Sequence, residues 1–138
     1  MTAEFRLRVY WEDTDAGGIV YYANYLKFAE RARTEALLGL GIRQTELRER
    51  LGILFAVREV LASYQASAKL EDQLLVTTAV SEIGGARIVM NQDIWRDDAC
   101  LVKCRVVLVC IGTDGRPARI PEEIRDALGR LPPDSVAP

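Results

Sequence analysis

The stretch from Trp11 to Tyr25, WEDTDAGGIVYYANY, marks a change of hydrophobic period. Before it, Phe5, Leu7, Val9 and Trp11 alternate with Arg6, Arg8 and Tyr10, the pattern of a strand with one buried face. After it, from about Tyr22, Leu26, Ala29, Ala32, Ala36, Leu37 and Leu40 recur at helical spacing, and Tyr25 and Phe28 widen the stripe. Gly39 and Gly41 predict the end of that helix. The junction itself holds Glu12, Asp13, Asp15 and the adjacent pair Gly17-Gly18. Glycine adopts backbone conformations closed to other residues, so such a loop can hold a carboxylate close to a helix start. Unpaired amides there attract negative charge. A carboxylate beside such amides is equipment for attacking an activated carbonyl.

The rest of the chain is mostly strand. A short helix is predicted from Thr45 to Arg50, closed by Gly52. Four strand-like runs follow, at about 54–66, 74–83, 87–95 and 99–112. Gly84-Gly85 signals a hairpin, and Glu71-Asp72 and Arg96-Asp97-Asp98 turn the neighbouring connections. In the last run Val102, Cys104, Val106, Leu108 and Cys110 share one face. The other face begins with Lys103 and Arg105 and becomes apolar at Val107, Val109 and Ile111, so this strand is expected to be buried on both sides. Pro121-Glu122-Glu123 opens a final short helix that Gly129 closes. Residues 131–138, with three prolines, are expected to form a flexible tail after one domain over 1–130. Five strands and one dominant early helix predict an α+β domain, a mainly antiparallel sheet with the helix over one face.

Several functions are excluded by what the chain lacks. It has no histidine, which removes the common Ser-His and Cys-His nucleophiles and the commonest metal ligand. Cys100, Cys104 and Cys110 have no CxxC spacing and read as core thiols in a reducing cytoplasm, with no metal expected. A net charge of −2 gives no reason to expect nucleic-acid binding. No signal-like stretch precedes Phe5 and no apolar run reaches membrane-spanning length, so a cytoplasmic protein, or one peripheral to a membrane through a partner, is expected. A calcium loop over Asp13-Thr14-Asp15-Ala16-Gly17-Gly18 fails, because Gly17 and Asn24 stand where oxygen ligands are required. A phosphate loop fails for want of GxxxxGK[ST] or GxGxxG.

The run DTDAGGIVYYANYLKFAERARTEAL, Asp13 to Leu37, resembles the signature of the 4-hydroxybenzoyl-CoA thioesterase branch of hotdog-fold thioesterases. It is most similar to the Tol-Pal system-associated acyl-CoA thioesterases. The likeness continues more weakly through Phe55-Ala56-Val57-Arg58, Tyr64 to Asp72 and the later strands. It implies a hotdog fold, a five-stranded sheet wrapped around one long central helix, in a homodimer or homotetramer built edge to edge and through sheet faces. It implies hydrolysis of an acyl-CoA without cofactor. In the family pattern Asp15, the second acid of DxDxxG, is the catalytic carboxylate, acting as general base or nucleophile. The Tyr22 backbone N–H is the expected oxyanion donor; many Tol-Pal relatives have histidine there, and a backbone donor survives the change. Gly18, Tyr25 and Arg87 are the expected substrate contacts. Arg87 is what remains here of a basic cluster that holds the nucleotide in the hydroxybenzoyl relative, with Arg116 or Arg119 as candidates to assist it.

Plainer roles stand beside these. Asp15 could cap the helix or bond the loop backbone. Asp13 is expected to brace the loop, Asn24 to cap the helix or bridge to the loop, and Glu30 and Arg33 to form a structural ion pair. The tyrosines could simply pack where sheet meets helix. The alternative function is a non-catalytic hotdog module that binds acyl carrier protein or Tol-Pal envelope-associated partners. Hydration or dehydration chemistry is disfavoured, because those enzymes typically pair histidine with an acid.

Overall fold

The computed structural model describes residues 3–131. Five antiparallel strands form one sheet: β1 (Ala3–Arg8), β2 (Ile53–Tyr64), β3 (Gln73–Ile83), β4 (Arg87–Arg96) and β5 (Ala99–Gly112). Their spatial order is β1-β3-β4-β5-β2. The long helix α1 (Asn24–Gly39) lies across one face. Two short helices, α2 (Gln44–Glu46) and α3 (Glu122–Leu128), close the ends, and α2 runs into a wide π turn at Leu47–Leu51. Among the described residues no helix is long and apolar enough to cross a membrane.

The hydrophobic stripe of α1 explains its place. Tyr25, Phe28, Ala29, Ala32, Ala36 and Leu37 are buried against the sheet. Alanines at the contact let the helix axis approach closely, while Phe28, 1% exposed, fills the space beneath. Burial of a side chain of that size contributes about 2–3 kcal/mol. Leu26, expected in the stripe, is 38% exposed, because it lies at the flank where the sheet does not reach.

A buried polar tie joins helix and sheet. Gln92 on β4 is fully buried. Its amide donates to Ala29 O at 2.8 Å and Thr78 Oγ1 at 2.9 Å, and its oxygen accepts from Arg33 Nη1 at 2.9 Å. Every side-chain requirement of Gln92 is met, so its burial is not costly. The expected Glu30–Arg33 pair gives way to this bond: Arg33 turns inward to Gln92, and Glu30 stays in solvent. Burial pulls the Arg33 guanidinium below its ordinary pKa, partly offset by Glu30 and Cys104.

Two other expectations are corrected. The first strand stops at Arg8, and Trp11, expected on its buried face, is 80% exposed. Asp13 Oδ2 accepts the Tyr10 N–H at 2.8 Å, and the backbone closes a 3₁₀ turn at Trp11–Asp13 that rotates the indole outward. Leu131, assigned to the tail, is 7% exposed and packs into the core; the rest of that stretch lies outside the described residues. Cys104 and Cys110 are buried, and burial pushes the Cys104 thiol up to about 11.

The sheet has two unlike edges. β1 is short, six residues, and points Glu4, Arg6 and Arg8 outward. β2 is twelve residues long and leaves Val57, Val60, Leu61 and Tyr64 exposed. A long apolar edge presents unpaired backbone groups that invite another strand, while charge blunts that tendency.

Candidate active site

The loop before α1 is a miniature hairpin. Thr14 bridges Val20, Asp15 N–H donates to Ile19 O at 2.8 Å, and Gly18 N–H donates to Asp15 O at 3.1 Å. The turn needs a left-handed residue, and Gly18, at φ +79°, supplies it. Gly17 serves differently. Its N–H donates to Asp15 Oδ1 at 2.8 Å, and a Cβ there would stand 3.2 Å from that oxygen. The loop is docked by a Val20 N–H to Ala68 O bond of 2.9 Å and by the Ile19–Lys69 bridge.

The helix start is tied to the same loop. Tyr21 N–H and Asn24 Nδ2 both donate to Asp13 O, at 3.0 and 2.9 Å. Asp13 therefore braces the loop, and Asn24 bridges to it. The Tyr22 N–H, ahead of the first turn of α1, has no acceptor among the described residues. It is one of the donors that every helix start leaves unpaired.

Asp15, Tyr22 and Tyr25 meet at a cleft of about 290 Å³, with Tyr64 from the end of β2 as the opposite wall. Tyr64 packs edge-on to Tyr22 and tilted against Tyr25, each with ring centroids 5.8 Å apart. Tyr25 is buried, and its hydroxyl oxygen accepts the Ala68 N–H at 2.9 Å. Burial holds that phenol above its ordinary pKa, against the opposing Ala68 bond. Tyr25 thus packs, bonds the loop's anchor and lines the cleft. Asp15 likewise bonds its own turn with one oxygen and faces the cleft. Concavities of about 350 and 460 Å³ lie along β1, but neither includes the loop or the helix start.

Not every expected residue is brought here. Gly18 shapes the turn behind Asp15 and does not line the cleft. Arg87 begins β4 and bonds Glu82 at 3.1 Å. Across the sheet, Tyr64 pairs with Val102 and Val102 with Ile94, seven residues along β4 from Arg87. Seven strand residues span roughly 23 Å, so Arg87 is outside this cleft within one chain. Arg119 and Arg125 gather near it: Arg119 Nη1 lies 3.9 Å from the Cβ position of Gly85, and Arg125 Nη2 donates to Gly85 O at 3.3 Å. Arg125 Nε is buried without a partner among the described residues. Tyr64 and Arg125 went unselected in the sequence because neither sits in a motif. The one signal for Tyr64 was its place at the end of an apolar strand that resumes the family likeness. Among the described residues, no three His, Cys, Asp or Glu converge as metal ligands.

Comparison with known proteins follows the same geometry. The profile of the thioesterase-like superfamily matches residues 9–128. An acyl-CoA thioesterase, YbgC, of Haemophilus influenzae is 43% identical over 128 residues, covering 92% of this chain and 94% of that protein. The crystal structure of a probable thioesterase from Bartonella henselae superposes with a TM-score of 0.84 at 35% identity, covering 88% of this chain and all of that one. A mutant 4-hydroxybenzoyl-CoA thioesterase in complex with 4-hydroxybenzoyl-CoA superposes with a TM-score of 0.86 at 19% identity, covering 91% of this chain and 96% of that one, a likeness of fold alone.

 The chain belongs to the thioesterase-like superfamily, and its fold is the hotdog fold.

Proposed function

We propose that the protein hydrolyses acyl-CoA thioesters, with Asp15 as the catalytic carboxylate and the Tyr22 N–H as oxyanion donor. The observation that carries this is that Asp15 and Tyr22, whose N–H has no backbone acceptor among the described residues, line one cleft before α1. The names of the YbgC relatives support the same chemistry. A thioester carbonyl is electrophilic and its thiolate leaves readily. Asp15 either takes a proton from the attacking water or attacks directly, giving a mixed anhydride that water then opens. In both routes negative charge develops on the carbonyl oxygen, where an oriented amide is worth most.

Two further parts belong to this proposal. The open β2 edge pairs with β2 of a second copy, which covers Val57, Val60 and Leu61. Arg87, with Arg119 and Arg125, offers guanidinium forks to the nucleotide phosphates of a substrate bound across a subunit seam. The test is thiol release from a panel of aliphatic and aromatic acyl-CoAs, wild type against Asp15→Asn. The expected result is turnover by the wild type and its loss in the variant. Equal release by both folded forms overturns the assignment of Asp15. Stable capture of acyl carrier protein with no turnover of any thioester would favour the binding-module alternative.

A further inference from the structure

We propose that Arg96, through its pair with Asp72, is a positioning residue for thioester hydrolysis: it fixes the strip 67–69, on which the Asp15 hairpin and the Tyr25 hydroxyl both rest. This depends on the thioesterase function proposed above. The strip lies outside the sheet. Gln65 and Ala66 N–H hold its start on Leu101 O, at 2.8 and 3.1 Å. Glu71 N–H on Val9 O and Val9 N–H on Asp72 O, at 3.0 and 2.9 Å, hold its end. Between these anchors Ser67, Ala68 and Lys69 make no backbone bond to a strand among the described residues.

Arg96 supplies the missing tie. It ends β4, and its Nη1 donates to Ser67 O at 3.1 Å and to Asp72 Oδ2 at 2.8 Å. The same Asp72 oxygen accepts the Lys69 N–H at 2.9 Å. Ala68, between the two gripped residues, passes their placement on. Its carbonyl accepts Val20 N–H and its N–H donates to the Tyr25 hydroxyl, both at 2.9 Å. Ile19, whose carbonyl takes the Asp15 N–H at 2.8 Å, bridges Lys69. Ser67 lines the cleft, and Arg96 stands behind it.

Two features set this pair apart from a surface ion pair. Its side chains are 33% and 12% exposed, whereas both members of every other ion pair among the described residues are at least 46% exposed. Glu71, at φ +74°, and Asp97, at φ +54°, are the two non-glycine residues with left-handed backbone among those described. Each adjoins one partner of the pair. Glu71 takes the third position of a turn closed by Asp72 N–H on Lys69 O at 3.1 Å, a place that usually falls to glycine. Such conformations persist only where the surrounding structure over-determines them. A partly exposed ion pair contributes little to stability, so its use here is geometric. Misplacing a reacting group by about 1 Å can cost about a hundredfold in rate.

The experiment compares Arg96→Met, Arg96→Lys, Asp72→Asn, the double variant of Arg96→Met with Asp72→Asn, and Arg50→Met. The last breaks an exposed pair with Glu123 that does not border the cleft. The readouts are kcat and KM on an acyl-CoA and hydrogen exchange of peptides over 13–25. Arg96→Met should lose roughly thirtyfold in kcat with KM within about twofold of wild type, and Arg96→Lys should recover part of the loss. Asp72→Asn should lose about fivefold, and the double variant no more than Arg96→Met, because the pair acts as one unit. Exchange over 13–25 should quicken in Arg96→Met and not in Arg50→Met. Should Arg96→Met not fold, Arg96→Lys and Asp72→Asn carry the same comparison. Wild-type kcat in the folded Arg96 variants, a double variant whose loss is the product of the single losses, or an equal loss in Arg50→Met overturns the positioning role. A wild type that turns over no acyl-CoA overturns the function instead, and unchanged exchange in Arg96→Met overturns the tie whatever the activity.

Discussion

The two halves of one short loop treat their aspartates in opposite ways. From Tyr10 to Thr14, Asp13 is 9% exposed and its polar atoms are engaged: the carboxylate takes the Tyr10 N–H, and the carbonyl takes Tyr21 N–H and the Asn24 amide. From Asp15 to Val20 the chain is mostly exposed, and Asp15 commits Oδ1 to Gly17 N–H while facing a cleft. Under the proposed function, that difference separates the acid that braces the loop from the one that would react. A carboxylate that braces the fold uses its lone pairs on the backbone. One that reacts must be aimed by a bond and still have a free lone pair.

The largest expected effect tests that separation directly. Asp15→Asn should lower thioester turnover about a thousandfold, while its denaturation midpoint stays near wild type because the Gly17 bond survives. A large stability loss in that variant would break the comparison. Asp13→Ala should do the reverse. It leaves the Tyr10 N–H without its acceptor and should cost about 2 kcal/mol in urea unfolding, with turnover of the folded fraction largely retained.

Smaller changes sharpen it. Gly17→Ala presses a methyl on Asp15 Oδ1 from 3.2 Å. Because the carboxylate can shift, kcat should fall roughly tenfold with little change in melting temperature. The smallest effect concerns the strip that docks the loop. Asp72 accepts from Lys69 N–H at 2.9 Å and Arg96 Nη1 at 2.8 Å. Burial raises its pKa, but those bonds outweigh it and leave the net value below the ordinary 3.8. A depressed carboxylate contributes stability above its unfolded pKa and loses it as pH falls through the folded one. Wild type should therefore lose more stability than Asp72→Asn as pH falls below about 3.8 in acid unfolding. Parallel acid curves would remove the contribution of Asp72.

The strands were legible because their signals are local. The run expected at 99–112 is β5, Ala99–Gly112, and that expected at 74–83 is β3, Gln73–Ile83. Alternation and turn residues fix such limits without reference to distant chain. Trp11 misled because alternation continues by chance past the point where Asp13 folds the backbone back. Leu26 and Glu30 misled because a helical wheel shows which residues share a face but not how wide the covering sheet is. In the site, Asp15, Tyr22 and Tyr25 were legible from one contiguous motif, and the structure gathers them at one cleft. Tyr64 was not, since it arrives from another strand.

By itself the sequence determined the order of elements, the hairpin turns and the acid-glycine loop at a helix start. Those rest on backbone preferences and periodicity within a few residues. Tertiary structure alone decided that β2 is the long apolar edge, that Tyr64 forms a wall of the cleft, and that Arg87 stands at the far end of β4 from it. Strand order is set by which faces bury most apolar surface against α1, and that sum is taken over residues far apart in the chain.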